Sequence, residues 1–397
     1  MNKKLIALAV AGALAAPMAA AADSANVTIY GQMHYSWDFV DTNNATDGSD
    51  DATGVNRASR VGFKGDEDLG NGLKAIWQVE TAVNGTLGNR NTFVGLSGNW
   101  GTLLAGRHDT PYKIATGSLD PFSDTLADYN AIIGSTANNG AAPFDQRVAA
   151  TVAYITPNFN GFTGAIARVG VKNPDTAAGA DETEAWSMMG MYQNGPFFAS
   201  LAYEAHDGAL NTAAFLPVPG ASATDGSDAW KLGLGYTMGN HKLGFVYENI
   251  STDGSAAVPA GAAPAGRQSM DDERDAYYLS YAFAFGNNTL KAAWGHADNS
   301  DGLRAASAGA APTAADRGDD ADLWALGIDH AFSKRTSVYA LYAEVNNGAA
   351  NVTTFAGGVG AATGSMYGLN NGANGGYAPA AAGEDVSGFS VGIVHKF

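Results

Sequence analysis

The sequence predicts an all-β chain, a 16-stranded antiparallel transmembrane β-barrel with short periplasmic turns and long external loops. Three observations lead there. Apolar and polar residues alternate with period two in sixteen segments. Beyond residue 22 no apolar stretch reaches the roughly 18 residues that a spanning helix needs, which leaves a closed barrel as the way to cross a bilayer. The connectors between segments alternate short and long, which sorts turns to one rim and loops to the other.

The 397 residues include 51 glycines and no cysteine, carry a formal charge of -17, and have a mean hydropathy of -0.11. A disulfide scaffold and a cysteine-held metal are excluded, and a pI near 4.6 argues against nucleic acid as a partner. Residues 1–22 place Lys3 and Lys4 before an apolar run from Leu5 to Val10, then Pro17 and alanines to Ala22. That is the pattern of a secretory signal, with cleavage expected between Ala20 and Asp23 and one barrel domain over residues 23–397.

The first strand sets the pattern. Val27, Ile29, Met33, Tyr35, Trp37 and Phe39 fall on one face, and Thr28, Tyr30, Gln32, His34, Ser36 and Asp38 on the other. The same reading places strands at 26–39, 57–66, 72–83, 90–98, 101–107, 147–157, 161–171, 184–193, 197–206, 228–238, 241–251, 274–285, 289–298, 321–332, 335–346 and 387–397. Breaks such as Asn99-Trp100 and Gly239-Asn240 are short, and the intervening ones long. Rings gather where strands would meet a membrane interface: Tyr35, Trp37, Trp186, Tyr192, Tyr277, Tyr281, Trp324, Tyr339 and Tyr342. The stretch from Asn347 to Gly383 reads as one long external loop of flexible filler, and the closing strand ends on Phe397.

The connector from His108 to Gln146 is the third long loop and too long for mere linkage. It holds Asp109, Asp120, Asp124, Asp128 and Asp145 against Lys113 alone. Folded inward it would put carboxylates in the lumen; left outside it would be a solvated loop, and the residues by themselves leave both open. If Val61 and Phe63 meet lipid, then Arg60 and Lys64 face inward. Inward Arg90 and Arg147 are compatible with Phe93, Val148, Val152 and Tyr154 pointing out. Arg60, Arg90 and Arg147 then form a basic wall, with Lys64, Arg107 and Arg168 as secondary lumen cations, facing Asp120, Asp124 and Asp128 across a transverse field. Salt bridges bracing the barrel are the alternative for each arginine taken singly.

Several motifs resemble the Gram-negative general porins, especially those of betaproteobacteria. They are Val27-Thr28-Ile29-Tyr30-Gly31, Ser59 to Gly65 with Glu67 to Gly70, Phe93 to Leu96, Gly106-Arg107, Ala325 to Gly327 followed by Phe332 to Thr336, and Val394 to Phe397. The resemblance spans nearly the whole mature chain. It implies a homotrimer in the outer membrane, an inward-folded third loop that forms the constriction, and a basic cluster at Arg60, Arg90 and Arg147. Where related porins often carry a lysine just after the first Tyr-Gly, this chain has Gln32, and its third loop has no glutamate.

The function expected is passive diffusion of ions and small hydrophilic solutes, with no cofactor and no chemical step. The alternative is a substrate-specific channel for an anionic or polar small molecule. The seven histidines form neither a His-x-x-x-His nor a His-Glu-x-x-His pair, so no motif supports an enzyme. Asp47 with Asp50-Asp51, Asp271-Asp272-Glu273 and Asp319-Asp320 read as solvated loop tips, with divalent bridging to lipopolysaccharide as the alternative.

Overall fold

A computed structural model of the chain describes residues 26–42, 52–135, 144–170, 184–207, 222–257, 267–269, 272–299, 320–348, 367–373, 375–377, 379 and 383–397. Residues 1–22, expected to be a secretory signal, and the acids Asp47, Asp50, Asp51, Asp271 and Asp319 lie outside the described residues.

Sixteen strands form the wall. They are β1 Asn26–Asp41, β2 Arg60–Gly70, β3 Leu73–Ala82, β4 Thr92–Gly98, β5 Gly101–Asp109, β6 Arg147–Ile155, β7 Phe162–Val169 and β8 Glu184–Asn194. The wall continues with β9 Phe197–Asp207, β10 Ser222–Met238, β11 His241–Ala257, β12 Asp272–Phe285, β13 Asn288–Ala297, β14 Ala321–Ala331, β15 Thr336–Asn347 and β16 Val386–Lys396. Two short pieces, Thr53–Asn56 and Arg267–Ser269, prolong the pairing lines of β2 and β12 past a break. Every neighbour is antiparallel, and β16 returns to β1 from Gln32↔Lys396 to Asp41↔Ser387. Closure leaves no sheet edge, so the backbone groups of the wall are satisfied within it.

Burial is inverted relative to a water-soluble protein. In β1 the polar Gln32, His34, Ser36 and Asp38 are buried, whereas Met33, Tyr35, Trp37 and Phe39 are exposed. The alternation that the sequence shows is therefore hydrocarbon outside and lumen inside. Rings stand on the outer wall in contact pairs: Tyr35 with Trp37 at 5.3 Å, Trp230 with Tyr247 at 4.9 Å, Trp294 with Trp324 at 6.2 Å. Two aromatics depart from expectation. Tyr339 faces inward, its hydroxyl 3.0 Å from His34 Nε2, because it sits three residues from the outward Tyr342 and so on the opposite face. Phe93 also faces inward, opposite Gln78 in the ladder and packed near Leu104, Ala153 and Ala167.

The short connectors are tight reversals. Gly239 and Gly286 take φ of +57° and +56°, a left-handed geometry that glycine adopts without strain. At the other rim β10 and β11 run further than their alternation suggests, over residues 222–227 and 252–257. The loop after β15 is also more than filler in its described part. Tyr367 and Leu369 are fully buried, and Leu369–Ala373 pairs with Gly375–Tyr377 as a small hairpin separate from the wall.

The C-terminus seals the seam. Phe397 and Gly31 exchange two backbone hydrogen bonds of 3.1 Å, and the Phe397 ring lies over Gly31, where an added Cβ would come within 2.6 Å of it. Substituting Gly31→Val drives a branched side chain into that ring and into the Arg60 carbonyl, and overpacking of this kind costs about 1–3 kcal/mol. The folded band on heat-modifiability gels is expected to disappear at a lower temperature for Gly31→Val than for the parent.

Candidate functional site

The segment after β5 folds into the barrel. Thr110 caps a one-and-a-half-turn helix, α1 Pro111–Thr116, by accepting the Lys113 N–H at 3.3 Å, and Pro111 occupies a first-turn position that needs no donor. Short turns follow at Gly117–Leu119 and Tyr129–Ala131. Leu119, Phe122, Leu126, Ile132 and Ile133 are all buried, against Val246, Ala276, Tyr278, Leu323 and Leu341 of the inner wall. Glycines clear the space: a Cβ on Gly233 would lie 2.9 Å from Leu119, and one on Gly327 3.0 Å from Phe122. Water fills the remaining lumen, so the hydrophobic effect holds the loop to the wall as it would hold a core.

Charged side chains on inward strand positions fix the loop's course. Glu248 of β11 accepts the Tyr112 hydroxyl at 2.8 Å and the Gly134 N–H at 2.7 Å, and pairs with Arg274 of β12 at 3.1 Å. Arg274 also donates to the Ile132 carbonyl at 3.3 Å and to the Tyr367 hydroxyl at 2.7 Å. Lys231 of β10, fully buried, pairs with Asp145, which accepts the Tyr129 hydroxyl at 2.6 Å. Ser280 donates to the Leu119 carbonyl at 2.7 Å.

The three loop acids expected at the constriction separate into two roles. Asp120 is buried and accepts the Phe122 N–H at 2.8 Å, the Tyr129 N–H at 3.1 Å and the Tyr278 hydroxyl at 2.8 Å. Its carboxyl is pushed up to about 7, chiefly by burial and then by the charge of Asp128. Asp128 caps the second turn through the Asn130 N–H at 3.0 Å, and burial raises it too. Asp124 alone of the three reaches the open gap, its Oδ2 3.6 Å from Arg60 of the facing wall.

The facing wall carries the arginines. Arg90 meets Glu80 at 2.6 Å and Arg60 lies 3.9 Å from the same carboxylate, which also accepts the Tyr30 hydroxyl at 2.9 Å. Arg147 pairs with Asp109 at 2.9 Å and donates to Asn91 at 2.9 Å, and Asn91 in turn donates to Asp109 at 2.8 Å. Lys64 is inward and exposed, its ammonium 5.2 Å from the Tyr30 ring. Four cations thus stand with two carboxylates on one wall, and Asp124 is opposite. With 24% and 40% of their side chains exposed, Arg60 and Asp124 form a pair worth under about 1 kcal/mol, a field across a wet gap and not a latch.

Two cations expected in the lumen lie elsewhere. Arg168 pairs in register with Val152 and Trp186, both exposed on the outer wall, and its guanidinium rests 5.7 Å from the Trp186 ring. Arg107 lies opposite Thr92, one position off the inward Phe93–Gly106 pair, and so on the outer side of the ladder. No motif marks Glu80, Lys231, Glu248 and Arg274 in the sequence, although each is a charged residue at an inward strand position. A further ion pair, Arg57 with Asp38, is buried at the outer mouth, and Arg57 also donates to the Asn370 carbonyl of the small hairpin at 2.6 Å. Among the described residues no cluster of three or more His, Asp or Glu side chains could hold a metal.

A family model described as Gram-negative porin matches residues 7–351. Among curated proteins, the major outer membrane protein P.IB of Neisseria meningitidis serogroup B is 32% identical over 375 residues, covering 91% of this chain and 98% of the relative. The P.IB of Neisseria lactamica is 31% identical over 349 residues, covering 85% and 91%. Among solved structures, an anion-selective porin from Comamonas acidovorans superposes with a TM-score of 0.66 at 24% identity, covering 94% of this chain and all of that one. OmpT, an outer membrane protein of Vibrio cholerae, gives 0.63 at 15% identity, covering 95% and 98%.

Two outcomes follow from the loop geometry. A carboxyl raised in the folded state binds more protons there than in the unfolded chain, so its contribution declines as pH rises from about 4 through about 7. Melting temperature should therefore fall across that window, and Asp120→Asn should flatten the slope. Gly327→Leu should displace Phe122 from the wall into the gap, lowering single-channel conductance while the melting curve stays cooperative.

Proposed function

We propose, from the premise that this chain belongs to the Gram-negative porin family and is a passive channel of the outer membrane, that its path prefers anions at a slot between the arginine wall and the third loop. The observation that carries this reading is the charge balance at the narrowing. Arg60, Arg90, Arg147 and Lys64 stand on one side with Glu80 and Asp109, and among the described residues of the loop Asp124 alone answers them. Guanidinium groups keep their charge at any working pH. Because Glu80 and Asp109 lie on the same wall, they hold the arginines upright and offset part of their charge. A small anion then crosses a neck of net positive potential, and a polar solute aligns its dipole across the gap. No reacting group or cofactor enters this account, since solutes pass down their own gradients.

Assembly as a homotrimer fits the outer surface of β2 to β5. Phe63, Val94, Leu96 and Leu103 are exposed there on short strands, an apolar face suited to burial against a second copy. The ring-bearing strands would then meet outer-membrane lipid, with lipopolysaccharide around the outer rim. A substrate-specific path for an anionic solute remains the second reading, favoured by Phe93 with His108 at 5.3 Å, an aromatic step beside Arg147 on the lumen side.

Reversal potentials under a salt gradient test the slot. A unit charge about 10 Å from a permeating ion in water is worth about 0.4 kcal/mol, so each of Arg60→Ala, Arg90→Ala and Arg147→Ala should shift the anion-to-cation permeability ratio roughly twofold toward cations. Glu80→Gln should shift it the other way, and Arg168→Ala, on the outer wall, should leave it unchanged. Equal ratios for all five variants would remove these groups from the conduction path. Val94→Arg should convert trimers to monomers in crosslinking of the purified protein.

A further inference from the structure

Glu248 and Lys231 tie the third loop to the wall at Tyr112, Gly134 and Asp145, whereas the residue that faces the arginines lies between those points. Asp124 sits in a turn closed by the Thr125 N–H on the Phe122 carbonyl at 3.0 Å. Its φ is +62°, a left-handed conformation that a residue with a side chain keeps only where its surroundings hold it. One support is internal, the Asp124 N–H on the Asp128 carboxylate at 2.8 Å. The other comes from outside the loop.

That second support is the small hairpin of the last loop. The Asn370 N–H donates to the Leu126 carbonyl at 3.0 Å, two residues past Asp124. Leu126 is itself seated over Gly388 of β16, where an added Cβ would come within 3.0 Å of it. The Asn370 carbonyl accepts Arg57 at 2.6 Å. Arg57 is fastened to β1 by its ion pair with Asp38, by its Nε on the Ser36 hydroxyl at 3.0 Å, and by its own N–H on the His34 carbonyl at 3.0 Å. Asp38 also accepts the Ser390 hydroxyl at 2.7 Å and, from the far end of the hairpin, the Tyr377 hydroxyl at 3.2 Å. The base of the hairpin is fixed separately. Asn347 accepts the Tyr367 N–H at 2.9 Å and donates to its carbonyl at 3.0 Å, while Arg274 donates to its hydroxyl at 2.7 Å.

A closed circuit results. It runs from Asp38 through Arg57, Asn370 and Leu126 to Asp124, then across the gap to Arg60, three residues after Arg57. The step across the gap joins partly exposed groups at 3.6 Å and is weak, whereas Arg57 and Asp38 are both buried. Arginine suits the junction because its planar fork presents several donors at fixed angles, here to Asp38, Ser36 and Asn370 at once. The hairpin is a sheet separate from the wall, so barrel closure does not depend on it.

We propose that Arg57 is a positioning residue of the channel: through the last-loop hairpin it sets where Asp124 stands opposite Arg60, and so the width and the field of the slot. The inference rests on the slot described above and adds the element that holds its loop side in place.

Two variants open the circuit at different points. Asp38→Asn with Arg57→Met removes the two buried charges together and strands neither. Asn370→Pro removes the N–H that meets Leu126 and leaves Arg57 paired with Asp38. Full-length protein carrying either change is expected to keep its heat-modifiable band and, in planar bilayers, to show more open-channel current noise than the parent. The decisive readout is a coupling. Asp124→Asn in the parent should shift the anion-to-cation permeability ratio about twofold toward anions. In either opened variant that shift should be lost, because the carboxylate no longer stands opposite Arg60. Arg57→Lys, which keeps the charge beside Asp38 but lacks the fork, should fall between. Parental noise in both variants, or an equal Asp124→Asn shift in every background, overturns the proposal. So does unfolding of the barrel by Asn370→Pro, which would make the hairpin a part of the wall's stability. If Arg60→Ala leaves the ratio of the parent unchanged, it is the slot that fails, and the noise of the two opened variants alone then decides the role of Arg57.

Discussion

A backbone amide inside a bilayer has no water to bond, and that constraint shapes the rest of this molecule. It forces the strands to close, since an open sheet would leave an edge of unsatisfied groups in hydrocarbon. Closure fixes the register from Gln32↔Lys396 onward, and register fixes which residue of each pair looks inward. Once facing is settled, Arg60 and Glu80 must share the lumen, and Met33 and Trp37 must share the lipid. The chemistry of the narrowing is a consequence of ladder arithmetic carried around the circumference.

The same arithmetic explains what could be read beforehand. All sixteen strands were legible because a wall between oil and water imposes contrast at every step. The inward positions of Arg60 and Lys64 followed from Val61 and Phe63. Facing was harder to read where it changed within a few residues. Arg168 shares parity with the outward Ile166, so carrying the alternation one pair further would have set it on the outer wall. Arg107 likewise shares parity with the exposed Leu103 and Ala105, so the same count would have set it outside. The loop anchors were obscure for a different reason. Lys231, Glu248 and Arg274 look like ordinary inward charges until the chain from Tyr112 to Asp145 is laid against them, and only tertiary contact supplies those partners. Gly233 and Gly327 read as weak points of strands, whereas each vacates room for a loop side chain.

Acids in the third loop illustrate how composition can mislead about electrostatics. Five aspartates from Asp109 to Asp145 suggest a negative lip. Asp109 belongs to the arginine wall, Asp145 neutralises a buried lysine, and Asp120 and Asp128 bind the loop's own N–H groups. A chain that turns repeatedly, with a single short helix and no sheet pairing of its own, leaves backbone donors unmatched, and short carboxylate side chains are the residues that can reach back to them. What remains for the channel is Asp124.

Why, then, does the loop need ion pairs at all, when a row of buried apolar residues already holds it to the wall? Apolar contact is non-directional, and beyond the hollows that Gly233 and Gly327 leave for Leu119 and Phe122 it does little to fix the loop's course. Glu248 receives Tyr112 and Gly134 at fixed positions from opposite ends of the loop, and Lys231 receives Asp145 just before β6. Breaking one member of such a buried set strands a charge at a cost of about 3–5 kcal/mol, far above the exposed Arg60–Asp124 pair. The lumen is thereby divided. Its wall from β9 to β15 is spent on holding the loop, its wall from β1 to β6 is left wet and charged, and solutes pass through the slot between them. Hydrophobic burial places the loop inside, and the buried ions decide where along the wall it stops, which sets the width that a passing ion meets.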